Sequence, residues 1–146
     1  MSLERLEAVS ELRSLVDDYA ILTDEKKISE QMNLFTPDAK FTIYIGGQLT
    51  STITGTESLE KEFMTHVNEI KCYFTINGQH KVTVNGDTAE GILFSQMKVI
   101  REEQGVDILS DYSIRYDDVY VRQNGAWLIQ ERTEYMIMIE SRPLQS

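Results

Sequence analysis

Residues 107–140 read DILSDYSIRYDDVYVRQNGAWLIQERTEYMIMIE, and this stretch decides the fold. At its middle stand Gln123, Asn124 and Gly125. Asn-Gly tolerates positive φ at both central positions of a tight turn, so the flanks pair as a hairpin with the correct twist. Before the turn, Tyr112, Ile114, Tyr116, Asp118 and Tyr120 share one strand face, and Val119 and Val121 share the other. After it, Trp127, Ile129 and Ile137 alternate with Leu128, Met136 and Met138. Apolar side chains occur on both faces. The hairpin is therefore expected at the centre of a sheet, covered on both sides.

Working back toward the N-terminus, the pattern stays β as far as Cys72. Residues 88–101 form a long strand, returned by Gln104-Gly105. Residues 74–84 form another, with Asn77-Gly78 as a bulge and Asn85-Gly86-Asp87 as the following turn. Before these comes a helix opened by Gly55 and capped by Thr56, with Leu59, Phe63, Val67 and Ile70 as its buried stripe. A short hairpin, residues 40–45 and 48–54, turns at Gly46-Gly47. The chain begins with a helix of roughly 20 residues, its apolar positions Leu3, Leu6, Val9, Leu12, Leu15, Val16 and Tyr19, and Ser2 as cap. Asp24 is placed to cap a second helix carrying Ile28, Met32 and Phe35, which Thr36-Pro37-Asp38 stops. Arg142-Pro143 closes the fold.

Three helices come early and four long strands follow in succession. This is one α+β domain over residues 1–146, with no linker or repeat. A sheet of long strands with a glycine break is expected to curve into a cone around the N-terminal helices and leave a cavity.

The net charge of −10 lacks the basic footprint that nucleic acid or an anionic membrane requires, so neither is expected as partner. Cys72 stands alone, which makes a reducing, cytoplasmic setting the expectation. MSLERLE has neither a basic region nor an apolar core, and is not read as a signal peptide. Two separated histidines and one cysteine give no metal-ligand spacing, and no phosphate-binding glycine loop occurs; no metal or cofactor is expected.

LVDDYAILTD, MNLFTPDAKFTIY, GTESLEKEF, VTVNGDTAEG and YDDVYVRQNGAWLIQER appear in that order. With these pieces the sequence resembles the SnoaL-like branch of the nuclear transport factor 2-like superfamily, relatives of scytalone and bile-acid dehydratases and polyketide cyclases. The resemblance implies a cystatin-like, cone-shaped antiparallel sheet and a deep, mostly apolar pocket. It also implies a homodimer through the outer sheet face.

The dehydratases of that family abstract a proton next to a carbonyl and steady the enolate with donors, often tyrosines. By that resemblance Tyr19 and Asp24 match the tyrosine and aspartate ending the first helix, and Tyr44 the tyrosine of the first strand. The family's histidine base falls at Thr75, which cannot act as a base unaided. Asp24 is thus the expected acid/base, its carboxyl raised by an apolar pocket, with Tyr19 and Tyr44 as donors. Asp24 also reads as a plain helix cap. His80 enters the pocket if the Asn77-Gly78 bulge re-aims its strand; otherwise it is a half-exposed strand histidine. Phe63, Thr75, Tyr112, Tyr116 and Asp118 are expected to line the pocket. Trp127 is expected in the core, and Arg132 at the surface or in an ion pair. His66 reads as a helix-flank histidine.

The functional expectation is a binder of a small apolar, polycyclic or aromatic molecule, with cofactor-free dehydratase, isomerase or cyclase chemistry. The alternative is a non-catalytic binding or dimeric interaction module that has lost its base.

Overall fold

Helix α1, Leu3–Asp24, starts where Ser2 caps it, the Ser2 hydroxyl accepting from Arg5 N at 3.2 Å. Its apolar stripe is buried only from Ala8 onward, through Leu12, Leu15, Val16 and Tyr19; Leu3 and Leu6 in the first turns are exposed. The structure is a computed structural model and describes residues 2–145. Helix α2 is a single turn, Ile28–Gln31, followed by a 3-10 turn at Met32–Leu34. Asp24 does not cap it. Lys27 holds the N-cap position without a side-chain bond, because the Asp24 carboxylate is engaged by Thr75 instead.

Strand β1, Phe35–Ile45, begins inside the expected second helix and runs through Pro37. Proline is tolerated because the pairing skips there, from Phe35 opposite Ile129 to Lys40 opposite Glu131, so no ladder bond needs its missing N–H. Strand β2, Gln48–Thr54, folds back on β1. Helix α3, Thr56–Asn68, follows Gly55, whose φ of 90° lets the chain leave the sheet sharply; Gly55, not Thr56, is the N-cap. Strands β3 (Cys72–Asn85), β4 (Thr88–Glu103), β5 (Val106–Gln123) and β6 (Ala126–Pro143) form the antiparallel meander.

The sheet order is β2-β1-β6-β5-β4-β3, so the hairpin of β5 and β6 lies at the centre. The sheet is mixed rather than wholly antiparallel: β1 runs parallel to β6. No hairpin ties those two strands, and the parallel neighbour arrives by a long crossover. The fold is α+β, a curved open sheet with its helices on one face. Leu12, Val16, Phe41, Leu93, Tyr120 and Ile129 close the core between them.

Register shifts set which side chains face inward. On β3 the pairing slips between Asn77 and His80, at the expected bulge. On β6, Gln130 and Ile137 are extra residues: Val119 pairs Glu131 but Tyr120 pairs Ile129, and Ser113 pairs Met138 but Ile114 pairs Met136. The Gln130 bulge reverses strand parity. Trp127 and Ile129 point inward, and beyond the bulge Arg132 and Glu134 do so. Ile137, expected to follow Trp127 inward, is 52 % exposed. Nor is the central hairpin covered on both faces. Across the outer face run Tyr44, Tyr135, Arg115 and Phe94 in one register row, and no described element of the chain lies over them. No described helix is long and apolar enough to cross a membrane.

Candidate functional site

Between α1, α3 and the inner sheet face lies a cavity of about 450 Å³. Ile43, Phe63, Val67, Met97, Val99 and Met136 give it apolar walls. Its polar lining includes Tyr19 from α1, Thr75 and Asn77 from β3, Tyr116 from β5, and Arg132 and Glu134 from β6.

Arg132 is the best-anchored of these. Its side chain is fully buried, with Nε donating to Asp118 Oδ1 at 2.8 Å and Nη2 to Oδ2 at 3.0 Å. The guanidinium carbon lies 3.8 Å from the Tyr116 ring centroid and 4.4 Å from that of Tyr19, a cation held against two π faces. Burial opposes the Arg132 charge, but the adjacent Asp118 carboxylate outweighs it and lifts the pKa well above the usual value. Asp118 also accepts from Tyr120 Oη at 2.6 Å. Since the proton of that hydroxyl is committed to Asp118, Tyr120 Oη accepts from His80 Nε2, 3.1 Å away. Arg132 Nη1 has no hydrogen-bond partner among the described residues. An orphaned buried donor is costly, about 1–3 kcal/mol and more for a charged group. This one belongs to a side chain that lines the cavity.

Glu134 is two residues further on the same face and 7 % exposed. Burial pushes its carboxyl above the ordinary range, and the Tyr116 hydroxyl and the Arg132 and His66 charges only partly pull it back. Burial likewise raises the Tyr116 and Tyr19 phenols, which stay protonated as donors. Tyr73, on the same wall, is pushed up to about 12 by burial.

The structure separates the expected site residues. Tyr19, Phe63, Thr75, Tyr112 and Tyr116 line the cavity. Asp24 does not. Its carboxylate sits behind Thr75, accepting from Thr75 N at 2.9 Å and Thr75 Oγ1 at 2.7 Å, so it can act on a ligand only through that hydroxyl. Asp118 is on the inner face but lies behind Arg132, outside the cavity wall. Tyr44 is on the outer face, stacked on Tyr135 with ring centroids 5.1 Å apart, because strand alternation gives the inner face to Phe41, Ile43 and Ile45. The β3 bulge does turn His80 inward, but onto Tyr120 rather than into the cavity, and burial lowers its pKa. Trp127 is core.

Two residues escaped the sequence reading. Arg132 was expected at the surface or in an ion pair; the ion pair exists, but the side chain is deep. Glu134 drew no notice. Their trace in the sequence is a charged run, Glu131, Arg132 and Glu134, between two apolar stretches of one strand, with the Gln130 bulge hiding which way each points. His66, expected on a helix flank, stands at the cavity lining with Glu62, 3.6 Å from its carboxylate.

The chain matches the SnoaL-like domain over residues 4–133. The uncharacterized protein Rv2910c of Mycobacterium tuberculosis is 30% identical over 127 residues, covering 85% of this chain and 82% of that protein. Two solved structures share the fold. A putative scytalone dehydratase from Novosphingobium aromaticivorans has a TM-score of 0.85 at 16% identity, covering 100% of this chain and 95% of its own. A hexachlorocyclohexane dehydrochlorinase, LinA type 2, has a TM-score of 0.80 at 21% identity, covering 99% and 93%. With that domain match spanning helices and central hairpin alike, the chain belongs to the SnoaL-like family and carries its nuclear transport factor 2-like, cystatin-like fold.

Proposed function

We propose that this protein binds a small, largely apolar ring compound in the cavity and carries out cofactor-free proton-transfer chemistry on it, of the lyase or isomerase kind. One observation carries the reading: a largely apolar cavity has the buried Arg132 and Glu134 among its lining residues. Dry walls bind the ligand body, and a few fixed polar groups orient its reactive end. The two fold relatives are named for a dehydratase and a dehydrochlorinase, both eliminations. In this reading Tyr19 and Tyr116 are donors, and Asp24 is a positioning residue that fixes the Thr75 hydroxyl. We further propose a homodimer through the outer sheet face. The exposed, unpaired Cys72 fits a reducing, cytoplasmic setting.

Thr75, standing where the family resemblance puts a histidine, favours a second reading, binding without turnover. Both readings require an open cavity. A thermal-shift series with apolar ring compounds tests it. Ligand should raise the melting temperature of the wild type, and Met97→Trp, which fills the cavity from β4, should abolish that shift while the variant stays folded. No shift with any compound, or an equal shift in Met97→Trp, removes the reading.

A further inference from the structure

We propose that the cavity takes a ring compound carrying a protonated amine, with the ammonium seated on the Glu134 carboxylate and the ring body against the aromatic walls. This rests on the cavity being a ligand site, as proposed above, and adds the charge and chemical class of the ligand.

The charges of the lining do not balance. Two acidic residues line the cavity, Glu62 and Glu134, and two basic ones, His66 and Arg132. Both basic groups already have partners. Arg132 is bound twice by Asp118, which stands outside the lining, and its remaining nitrogen, Nη1, bonds to nothing among the described residues. His66 lies 3.6 Å from the Glu62 carboxylate, one turn back on α3. Glu134 is the acid left over: among the described residues no lysine, arginine or histidine forms an ion pair with it. Buried carboxylates are ordinarily paired.

What Glu134 has around it is neutral. In the ladder it stands between Ile43 of β1 and Tyr116 of β5. The Tyr116 hydroxyl donates to it, and the Arg132 and His66 charges act on it from further off; burial outweighs all three and holds the carboxyl above its ordinary range. A carboxylate has about four acceptor sites, so one phenol leaves most of them open. An ammonium supplies both the missing charge and up to three N–H donors, and hydrogen bonds between ionised groups are about twice as strong as neutral ones. Folding has already taken Glu134 out of water, so on binding the amine alone is desolvated. The walls suit the same ligand. Phe41, Phe63, Tyr73 and Tyr112 line the cavity, Phe41 and Phe63 edge-to-face with centroids 5.3 Å apart. Such rings pack against an aromatic body and attract a nearby cation. A carboxylate ligand would meet Glu62 and Glu134 with both basic groups engaged elsewhere, and a neutral one would leave Glu134 as it is.

The test titrates three naphthalenes that share a body and differ in charge: 2-naphthylmethylamine, 2-naphthalenemethanol and 2-naphthoate. Calorimetry on the full chain at neutral pH gives each affinity. The wild type should bind the amine at least about tenfold tighter than the alcohol, and 2-naphthoate most weakly. Glu134→Gln should keep the wild-type affinity for the alcohol and bind the amine no tighter than the alcohol. On the unmutated protein the amine preference should also persist in about 1 M salt, which screens surface charge far more than a buried pair. If the wild type binds the alcohol as tightly as the amine, or 2-naphthoate tightest of the three, the inference is overturned and the cavity reading stands. An amine preference that survives in Glu134→Gln, or collapses in salt, overturns it too, because the net charge of −10 would then be what draws the cation. Binding of none of the three by the wild type removes both readings together.

Discussion

A carboxyl buried at 7 % exposure and a guanidinium buried at 1 % set opposite stability signatures, and both are measurable. Glu134 holds its proton in the folded state at pH values where the unfolded chain has lost it. The folded state therefore binds more protons there, and stability falls as pH rises from the ordinary carboxylate value through the raised folded one. Glu134→Gln removes that loss. It should melt higher than wild type at neutral pH, with the gap closing toward pH values below the ordinary carboxylate range; a gap of the same size at both pH values contradicts a raised carboxyl. Arg132 behaves otherwise, since its charge is matched by Asp118 at 2.8 Å. Asp118→Ala strands a buried cation and should cost about 3–5 kcal/mol in urea unfolding. A loss below about 1 kcal/mol would mean the pair is solvated. Among single residues, Tyr19, Tyr116 and Thr75 were legible in the sequence as cavity residues, because each sits on a regular stretch of helix or strand. Asp24 was legible as a residue with a partner, but the partner was Thr75, far along the chain, rather than the next helix.

The elements themselves were readable where periodicity runs unbroken. The three turns of the long meander, Asn85-Gly86-Asp87, Gln104-Gly105 and Gln123-Asn124-Gly125, lie between the strands they were expected to join. What periodicity cannot supply is a register that changes within a strand. Nothing in Ile129-Gln130-Glu131 announces an extra residue, yet that one residue decides whether Arg132 and Glu134 meet the cavity or the outer face. The second helix failed for a related reason. Ile28, Met32 and Phe35 are all buried as expected, but Phe35 is buried as the first residue of β1, and apolar spacing alone does not distinguish these. Deleting Gln130 tests the bulge directly. With the extra residue gone, plain alternation runs Trp127 and Ile129 in, Glu131 out, and Arg132 and Glu134 still in. The variant should keep the Arg132–Asp118 contact and the ligand-induced thermal shift of the wild type. Loss of that shift in a folded variant would show that the bulge itself shapes the cavity.

At the level of the whole molecule, one sheet face is closed by helices and the other is left bare. On the bare face Phe74, Ile76, Phe94 and Met138 are 56 %, 58 %, 40 % and 63 % exposed. They flank the Tyr44–Tyr135 stack and the Arg115 guanidinium, whose carbon lies 6.0 Å from the Phe94 ring centroid. Ile76, Gln96, Ser113 and Met138 fall in one register row across four strands, so apolar side chains stand at both ends of a row whose middle is the Ser113–Gln96 hydrogen bond. Exposed apolar side chains rimmed by polar ones suit an interface, and a two-fold dimer uses the same patch on both copies. Light scattering should therefore give the mass of two 16.8 kDa chains. Met138→Lys places a charge in the patch on each copy, and both copies would have to bury it together. The variant should run as a monomer. Its cavity, on the opposite face, should keep the ligand-induced thermal shift, since Met138 is not among the residues lining it. A wild type that is monomeric at micromolar concentration, or a Met138→Lys variant that remains a dimer, places the interface elsewhere. Loss of the ligand-induced thermal shift on dissociation alone would instead tie the inner face to the outer one, making assembly a condition for the site.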